Sequence, residues 1–203
     1  MSQPIFVLAS VLFGCRLLLL IALHVVPGGI HPVRDTVSDY AVADSRTTRT
    51  LATVSSWSAA AAWAALGAGV LTDVSLGDSR LGVGGWLLVL GGLLAAMPFV
   101  PTDRTGSSTT AGGRVHLLFA IAWFTLGYST ISPLGRLLGG APGAVLGVLD
   151  PIAAVALAAL VVSLLVRPLR PHTFGLAERA FILVVTVAPL IASVGLAATG
   201  SGR

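Results

Sequence analysis

The sequence predicts an all-α integral membrane protein built as a six-helix bundle. Of the 203 residues, 55% are hydrophobic and only 10% are charged, against about 25% charged in a typical soluble domain. Apolar runs of about 20 residues recur along the chain, which is the length that crosses roughly 30 Å of hydrocarbon as a helix. A soluble helical core would need shorter helices with polar faces, and these runs lack such faces.

Most of the six spans are bounded by residues that interrupt helices. Pro27 and two glycines follow the first run, and Pro98 and Pro101 interrupt the end of the third. The fifth run is expected to open with Asp150 as its N-cap and Pro151 at the first helical position. We predict a single domain over residues 1–203, with spans at roughly 5–26, 50–72, 82–100, 114–133, 149–166 and 179–198.

Three further features bear on how the bundle is built. Residues 134–148 are rich in glycine and only moderately apolar, which favours an interfacial connection. The first run contains Arg16 and follows no arginine or lysine, so we expect a retained span rather than a cleaved signal peptide. Small residues are frequent in the second and third runs and allow backbones to approach closely. These two helices are therefore predicted to lie at the centre.

The arginines predict the orientation of the bundle. The chain has no lysine, so its positive charge comes from arginine. With six spans, the first, third and fifth loops share one side, which we call the odd-loop side, and both termini lie on the other. The positive-inside rule places the odd loops in the cytoplasm. Because such arginines report orientation and lipid contact, we infer no nucleic-acid partner. The odd-loop side holds Arg34, Arg46, Arg49, Arg104, Arg114, Arg167, Arg170 and Arg179, and the other side holds Arg80, Arg136 and Arg203.

Four polar clusters punctuate a chain that otherwise has few charges. They cover residues 28–40, 101–104, 113–116 and 175–179. All four fall on the odd-loop side of the predicted bundle. We therefore expect them to converge into one polar pocket at one face of the membrane.

Asp103 and His116 form the most informative pair. The third span is expected to end near Val100 and the fourth to begin near Arg114, so both residues should lie at one membrane depth. A carboxylate beside an imidazole fixes the tautomer of the ring and raises its basicity, as in a general base or a metal ligand. The pair thus predicts His116 as a base that Asp103 orients.

Other polar residues extend the candidate catalytic set, and each also has a structural interpretation. Ser38 could act as a nucleophile. Alternatively, Ser38, Asp35 or Asp39 could cap a short helix over residues 39–44. Asp39, Asp103 and Glu178 could serve as acids if burial keeps them protonated, although Glu178 could instead complement the start of a helix. The candidate catalytic residues are Ser38, Asp39, Asp103, His116 and Glu178.

Arg16 lies about ten residues from either end of its span, on the order of 15 Å from each surface. A charge at that depth costs at least about 2.5–3.5 kcal/mol unless it is paired or hydrated. It should therefore face the bundle interior and meet an acid, carbonyl groups, water or an anionic headgroup. The candidate substrate-binding residues are Arg16, Arg34, Tyr40, Arg114, Trp123 and Arg179, with the loop arginines suited to holding a phosphate.

The sequence singles out no metal site and no cofactor. His24, His31 and His116 could supply ligands together with the aspartates, but no closely spaced pair such as His-x-x-x-His is present. The composition also leaves the oligomeric state open.

Several short motifs resemble a known family. They are Asp35-Thr-Val-Ser38-Asp39-Tyr40-Ala, Phe99-Val-Pro101-Thr-Asp103, Gly113-Arg-Val-His116 and Gly175-Leu-Ala-Glu178-Arg179. Their order and spacing, over nearly the whole chain, resemble the bacterial and archaeal six-helix membrane family catalogued as domain of unknown function 998. The resemblance implies a bundle with polar residues gathered at one end and implies no established activity. The chain departs from the pattern by placing Val100 between Phe99 and Pro101 and by carrying Arg16.

Three functions remain open from the residues alone. The first is an interfacial hydrolase or transferase acting on a lipid headgroup, with His116 as base and Ser38 or water as nucleophile. The second is an acid-initiated isoprenoid cyclase or isomerase, in which Trp57, Trp123 and Tyr128 stabilise carbocations. The third is a non-catalytic lipid-binding or accessory subunit. In each case the expected partner is a membrane lipid or an isoprenoid.

Overall fold

The computed structural model describes residues 2–26, 28–166 and 168–200. Pro27, Arg167 and Arg203, which entered the predictions above, lie outside the described residues. Within the described part, three short 3₁₀ helices join seven α-helices. The α-helices are α1 (Gln3–Val25), α2 (Arg46–Thr72), α3 (Ser79–Ala96), α4 (Ala111–Ser129), α5 (Ile131–Leu138), α6 (Gly140–Leu165) and α7 (Arg170–Gly200), and the 3₁₀ helices are Ser38–Val42, Val74–Leu76 and Met97–Phe99.

Six segments are long and apolar enough to cross a membrane, which confirms the predicted all-α bundle and makes this a multi-pass membrane protein. The fourth span, Ala111–Leu138, contains both α4 and α5. These two helices meet at Thr130, whose N–H bonds back to the carbonyl groups of the preceding turn.

The structure corrects the predicted connection at residues 134–148. Helix α5 occupies its first part, and α6 begins at Gly140, directly after Gly139. Pro151 lies inside α6 rather than at its first position, and Asp150 is not its N-cap. A bilayer offers the backbone no water to bond, so a glycine-rich segment at membrane depth stays helical, and an internal proline is tolerated there.

Helix α7 also begins earlier than predicted, at Arg170 instead of residue 179. Its first turns carry the polar residues Arg170, His172 and Thr173. Because the prediction relied on apolar runs, it did not include these turns in the helix. Glu178 and Arg179 consequently lie two turns inside α7 instead of flanking its start, with Glu178 buried and Arg179 half-buried.

The central helices are α2 and α7. About half of the most apolar window of each is buried, 50% in α2 and 56% in α7, whereas α3 is buried over only 28% of its window. The predicted central position of α2 is thus confirmed and that of α3 is wrong. Small residues do bring α2 and α3 close together, since a Cβ atom on Gly91 would lie 3.0 Å from the backbone nitrogen of Ala64.

The bundle has two distinct ends. The hydroxyl of Ser2 donates to Asp73 at 2.9 Å, and the side-chain amide of Gln3 donates to the carbonyl of Ala197 at 3.3 Å. These bonds place the two ends of the described chain beside the connection between α2 and α3, at what we call the opposite end. The connections after α1, α3 and α6 form the odd-loop end, where the polar clusters lie.

Candidate functional site

Loop one, defined here as residues 28–45 between α1 and α2, covers the odd-loop end and is fastened through Asp39. This carboxylate is only 1% exposed. The N–H and hydroxyl of Thr36 donate to its Oδ2 at 2.6 and 2.7 Å. The N–H of Thr105, in the connection after α3, donates to Oδ1 at 2.7 Å, and the Thr105 hydroxyl donates to Oδ2 at 2.6 Å. Asp39 therefore ties loop one to the neighbouring connection.

Arg179 of α7 fastens loop one from the other side. Its Nη1 donates to the carbonyl oxygens of Pro32 and Asp35 in loop one, at 2.8 and 2.6 Å, and to that of Gly175 at 3.0 Å. The guanidinium also lies over the ring of Tyr40, 5.7 Å from its centroid. The donors of Arg179 are thus directed at the protein itself.

His24 of α1 completes this fastening. Its Nδ1 lies 2.6 Å from the carbonyl oxygen of Leu20, and its Nε2 lies 2.9 Å from Nε of Arg179. A carbonyl only accepts and a guanidinium N–H only donates, so Nδ1 carries the proton and Nε2 accepts. The His24 ring is therefore a neutral structural group.

Glu178, next to Arg179, turns inward. It is 6% exposed, and its Oε2 accepts the N–H of Val37 in loop one at 2.6 Å. Because consecutive residues on a helix point in different directions, Arg179 reaches the loop surface while Glu178 reaches the space beneath loop one. Both residues therefore act on loop one, from opposite sides.

Arg16 faces the bundle interior, as its cost in lipid predicts. It is 7% exposed, its Nη1 donates to Oγ of Ser55 in α2, and it interacts electrostatically with Glu178. It lies nine residues before the end of α1 at Val25, roughly 14 Å along the helix. An arginine and a glutamate side chain are thus both held below loop one.

Arg16 and Glu178 line a cavity of about 240 Å³. Helices α1, α2, α3, α4 and α7 form its walls, and the 3₁₀ helix of loop one covers it. Most of the wall is apolar, from residues such as Leu94, Phe124 and Ile182. The lining residues with polar side chains are Arg16, Ser38, Thr53, Ser56, Thr102, His116, Trp123 and Glu178.

Two buried polar atoms on the cavity wall have no hydrogen-bond partner in the described structure. They are Nε2 of His116 and Nε1 of Trp123, on side chains that are 9% and 7% exposed. His116 Nδ1 lies 3.0 Å from the carbonyl oxygen of Val100. Since a carbonyl only accepts, Nδ1 carries the proton, and Nε2 of the neutral form of the ring is an unpaired acceptor. Buried polar groups are normally paired, so these two indicate a missing partner.

The exposed part of the cavity lining extends from the odd-loop end down the side of α2. Of the lining residues, Ala41, Thr53, Pro98 and Pro101 are exposed, and they come from loop one, α2 and the segment after α3. Thr53 lies seven residues into α2, roughly 10 Å along the helix axis. The cavity therefore has an exposed lining residue within a membrane-spanning helix.

Comparison with known families adds one result. Residues 7–195 match a family described as a protein of unknown function, DUF998, which confirms the resemblance noted in the motifs. The chain belongs to the DUF998 family. No curated protein and no solved structure matches it. The functional assignment of this DUF998 chain therefore depends on its own geometry.

The predicted convergence of the four polar clusters is seen in this DUF998 fold. Loop one bonds to Thr105 through Asp39, to Glu178 through the N–H of Val37, and to Gly175 through the carbonyl of Val33 at 3.0 Å. Of the residues predicted for the site, the cavity is lined by Arg16, Ser38, His116, Trp123 and Glu178, whereas Arg34, Asp39, Tyr40, Asp103, Arg114 and Arg179 do not line it.

The predicted pairing of Asp103 with His116 is wrong. Asp103 instead accepts the N–H and hydroxyl of Thr110, the N-cap of α4, at 2.7 and 2.8 Å. Asp103 can lie this close to the first turn of α4 because residue 113 is a glycine. A Cβ atom at position 113 would overlap the carboxylate of Asp103. The carboxylate of Asp103 therefore stabilises the turn before α4. The carbonyl of Val100, rather than Asp103, orients His116.

The remaining candidates have other positions. Arg34 and Arg114 are exposed, and Asp39, Tyr40 and Arg179 belong to the fastening of loop one. The short helix expected over residues 39–44 is the 3₁₀ helix Ser38–Val42, whose start no side chain caps. The hydroxyl of Ser38 lies 2.7 Å from that of Thr36.

Two important partners were missed from the sequence. Ser55 accepts a hydrogen bond from Arg16. The one feature of the sequence that could have indicated this role is a hydroxyl residue at mid-depth in an apolar helix. The carbonyl of Val100 orients His116 as a backbone group, so no residue type could reveal it; the one signal was the departure of Val100 from the family pattern. Among the described residues, no three His, Cys, Asp or Glu side chains cluster as metal ligands would.

Proposed function

We propose that this protein binds a membrane lipid in the cavity and acts on its headgroup as a hydrolase or transferase. The observation that carries the proposal is the free Nε2 of His116, buried in a cavity that also holds Arg16 and Glu178. A neutral imidazole oriented through its Nδ1–H is the form a general base requires. The exposed lining residue Thr53, within the membrane-spanning helix α2, supports a ligand that arrives from the bilayer.

The residues divide the chemistry in a simple way. Nε2 of His116 accepts the proton of a water or an acceptor alcohol as that oxygen bonds to the phosphoryl or acyl centre. The same nitrogen then returns the proton to the departing alcohol, so the reaction is balanced without an external acid. Arg16 stabilises the negative charge that develops on the ligand oxygens, in a site from which loop one excludes bulk water.

Water or an acceptor alcohol is a better nucleophile here than Ser38. The Ser38 hydroxyl lines the cavity, yet its hydrogen bond joins it to Thr36. A serine nucleophile needs its base within hydrogen-bond reach, and no hydrogen bond joins Ser38 to His116 among the described residues, since Nδ1 of His116 bonds to the carbonyl of Val100. Ser38 then serves as a polar contact in the cover of the cavity.

We further propose that the protein resides in the cell membrane with its odd loops in the cytoplasm. Arg16 and Arg179 are bonded inside the protein and carry no weight for orientation. Of the described arginines that remain, six lie at the odd-loop end, and only Arg80 and Arg136 lie at the opposite end. The six are Arg34, Arg46, Arg49, Arg104, Arg114 and Arg170. This asymmetry supports the assignment through the positive-inside rule.

The test compares His116→Ala with His172→Ala, which alters an exposed histidine of α7 outside the cavity. Each variant is reconstituted in vesicles of labelled phospholipids, and products are identified by mass spectrometry. We expect His116→Ala to lose at least about 100-fold in turnover, the usual contribution of a general base, and His172→Ala to keep it. Thermal unfolding of both variants checks that the fold is retained.

Two results would contradict the proposal. Full turnover by His116→Ala would remove this residue from the chemistry. Absence of any product from the wild-type protein, with lipid nevertheless bound, would favour the non-catalytic lipid-binding subunit instead.

One observation favours a second candidate function, an acid-initiated isoprenoid cyclase or isomerase. Glu178 shares the cavity with Trp123 and Phe124, whose ring centroids are 4.7 Å apart, and aromatic faces stabilise cations. Trp57 and Tyr128 do not line the cavity, which weakens this candidate. Supplying polyprenyl substrates and finding no change in the carbon skeleton would eliminate it.

A further inference from the structure

The indole of Trp123 is a second unpaired group in the cavity, separate from His116. Its Nε1–H can only donate a hydrogen bond, and no acceptor is within reach among the described residues. A phenylalanine would fill the same space without a buried donor to satisfy. The unpaired N–H therefore points to an acceptor that the ligand brings.

The surrounding rings fix the direction of this N–H. Trp123 packs edge to face against Phe124, with centroids 4.7 Å apart, and against Phe181, with centroids 6.4 Å apart. Phe181 is fully buried, so the indole has little freedom to turn toward another partner. The donor is held in place before any ligand arrives.

The cavity has two polar levels. Trp123 follows His116 by seven residues on α4, which places it on nearly the same helix face and about 10 Å deeper. Arg16 lies roughly 14 Å from the odd-loop end of α1, between these two depths. The outer level offers the acceptor Nε2 of His116, the inner level offers the donor of Trp123, and the donors of Arg16 lie between them.

We propose that Trp123 binds the ester carbonyl of an acyl lipid, and that the ligand is an anionic glycerolipid with a hydroxyl-bearing headgroup. The inference rests on the proposed lipid-binding function and specifies its substrate class. The headgroup hydroxyl donates to His116 Nε2, the anionic group lies against Arg16, and the ester carbonyl below the headgroup accepts from Trp123.

A prenyl lipid matches the inner level less well. Its chain is hydrocarbon immediately below the phosphate, so it would leave the indole N–H buried and unpaired, which is unfavourable. The same donor therefore discriminates an ester-linked lipid from an ether-linked or a prenyl lipid that is otherwise suited to the cavity.

The test measures binding rather than turnover. Wild-type protein and Trp123→Phe are offered equal amounts of diacyl phosphatidylglycerol and its dialkyl ether analogue, and the bound lipids are counted by native mass spectrometry. Wild-type protein should prefer the ester about tenfold, the size of one hydrogen bond to a buried donor. In Trp123→Phe the ratio should fall to near one.

The matched control is Trp86→Phe, which removes an indole N–H that already donates to Ser129 at 2.9 Å, far from the cavity. It should keep the wild-type preference. The ester-to-ether ratio is internal to each sample, so a loss of folded Trp123→Phe protein changes the total bound lipid but not the ratio.

An unchanged ester preference in Trp123→Phe, equal binding of both lipids by the wild type, or tighter binding of a polyprenyl phosphate would each overturn the inference. These outcomes separate from the proposed chemistry. A protein without turnover that shows the Trp123-dependent preference loses only its role as an enzyme, whereas turnover with an unchanged preference in Trp123→Phe removes only this inference.

Discussion

The odd-loop end and the opposite end of the bundle are built by different interactions. At the opposite end, helices touch through glycine: a Cβ atom on Gly67 would lie 3.0 Å from the carbonyl oxygen of Gly84, and one on Gly143 would overlap Gly135. At the odd-loop end, charged side chains bond to loop backbone, and a cavity lies between the helices. Close packing fills space, whereas directional bonds can hold an open space in place.

The difference shows where this chain carries its chemistry. In lipid, helices associate mainly through backbone contact and packing, which small residues permit. Backbone contact of this kind is found at the opposite end, whereas polar side chains at the odd-loop end hold loop one over a cavity.

The substitution Asp39→Ala should affect the odd-loop end far more than the opposite end. Four donors from Thr36 and Thr105 lose a buried carboxylate, and we expect a loss of about 3 kcal/mol or more in the stability of loop one. Hydrogen exchange followed by mass spectrometry should show faster exchange over residues 28–45 while the opposite end stays protected. Asp35→Ala is the control: its carboxylate bonds only locally, to the N–H of His31, and should cost below about 1 kcal/mol. Equal exchange in both variants would contradict the role of Asp39.

A second test acts on the packed contact between α2 and α3. Gly91→Leu places a side chain against the backbone of Ala64, 3.0 Å from where its Cβ begins, and should destabilise the bundle by about 1–3 kcal/mol through overpacking. Gly92→Leu is matched in chemistry, but nothing lies within 4 Å of its Cβ position, so it should leave stability unchanged or raise it through helix propensity. Thermal unfolding in detergent compares the two. Equal melting temperatures would mean that backbone contact does not hold this pair of helices.

At the opposite end, pH should have a small effect on stability. Hydrogen bonds from Ser75 and Ser2 lower the pKa of Asp73 below its ordinary 3.8. A carboxyl group whose pKa is lower in the folded state than in the unfolded state adds to the free energy of unfolding. This stabilisation is complete above the unfolded-state pKa and is lost as the pH falls through the folded-state pKa. We therefore expect wild-type protein to lose slightly more stability below about pH 4 than Asp73→Asn does. Parallel unfolding curves for the two proteins between pH 6 and 3 would show that this bond contributes nothing.

The six spans could be predicted because each is a local property of about 20 residues. The beginning of α7 could not, because its first turns are polar and only their contacts keep them helical. Arg16 could be placed inside the bundle, since a lone charge in lipid is so costly that few positions are open to it. The partners of Arg179 could not be predicted in this way, because its main acceptors are the backbone carbonyls of Pro32, Asp35 and Gly175. Backbone carbonyls are common to every residue and leave no mark in a sequence.

Hydrophobicity and loop order are enough to predict that the chain enters a membrane as six helices and that its polar clusters meet at one end, because both are properties of composition and chain direction. Which polar atoms there are paired depends on how the helices pack. Asp103 bonds to Thr110, Arg179 bonds to loop one, and Nε2 of His116 and Nε1 of Trp123 have no partner among the described residues. A hydrogen bond depends on a few tenths of an ångström between residues distant in the chain, and that spacing is set when the helices pack.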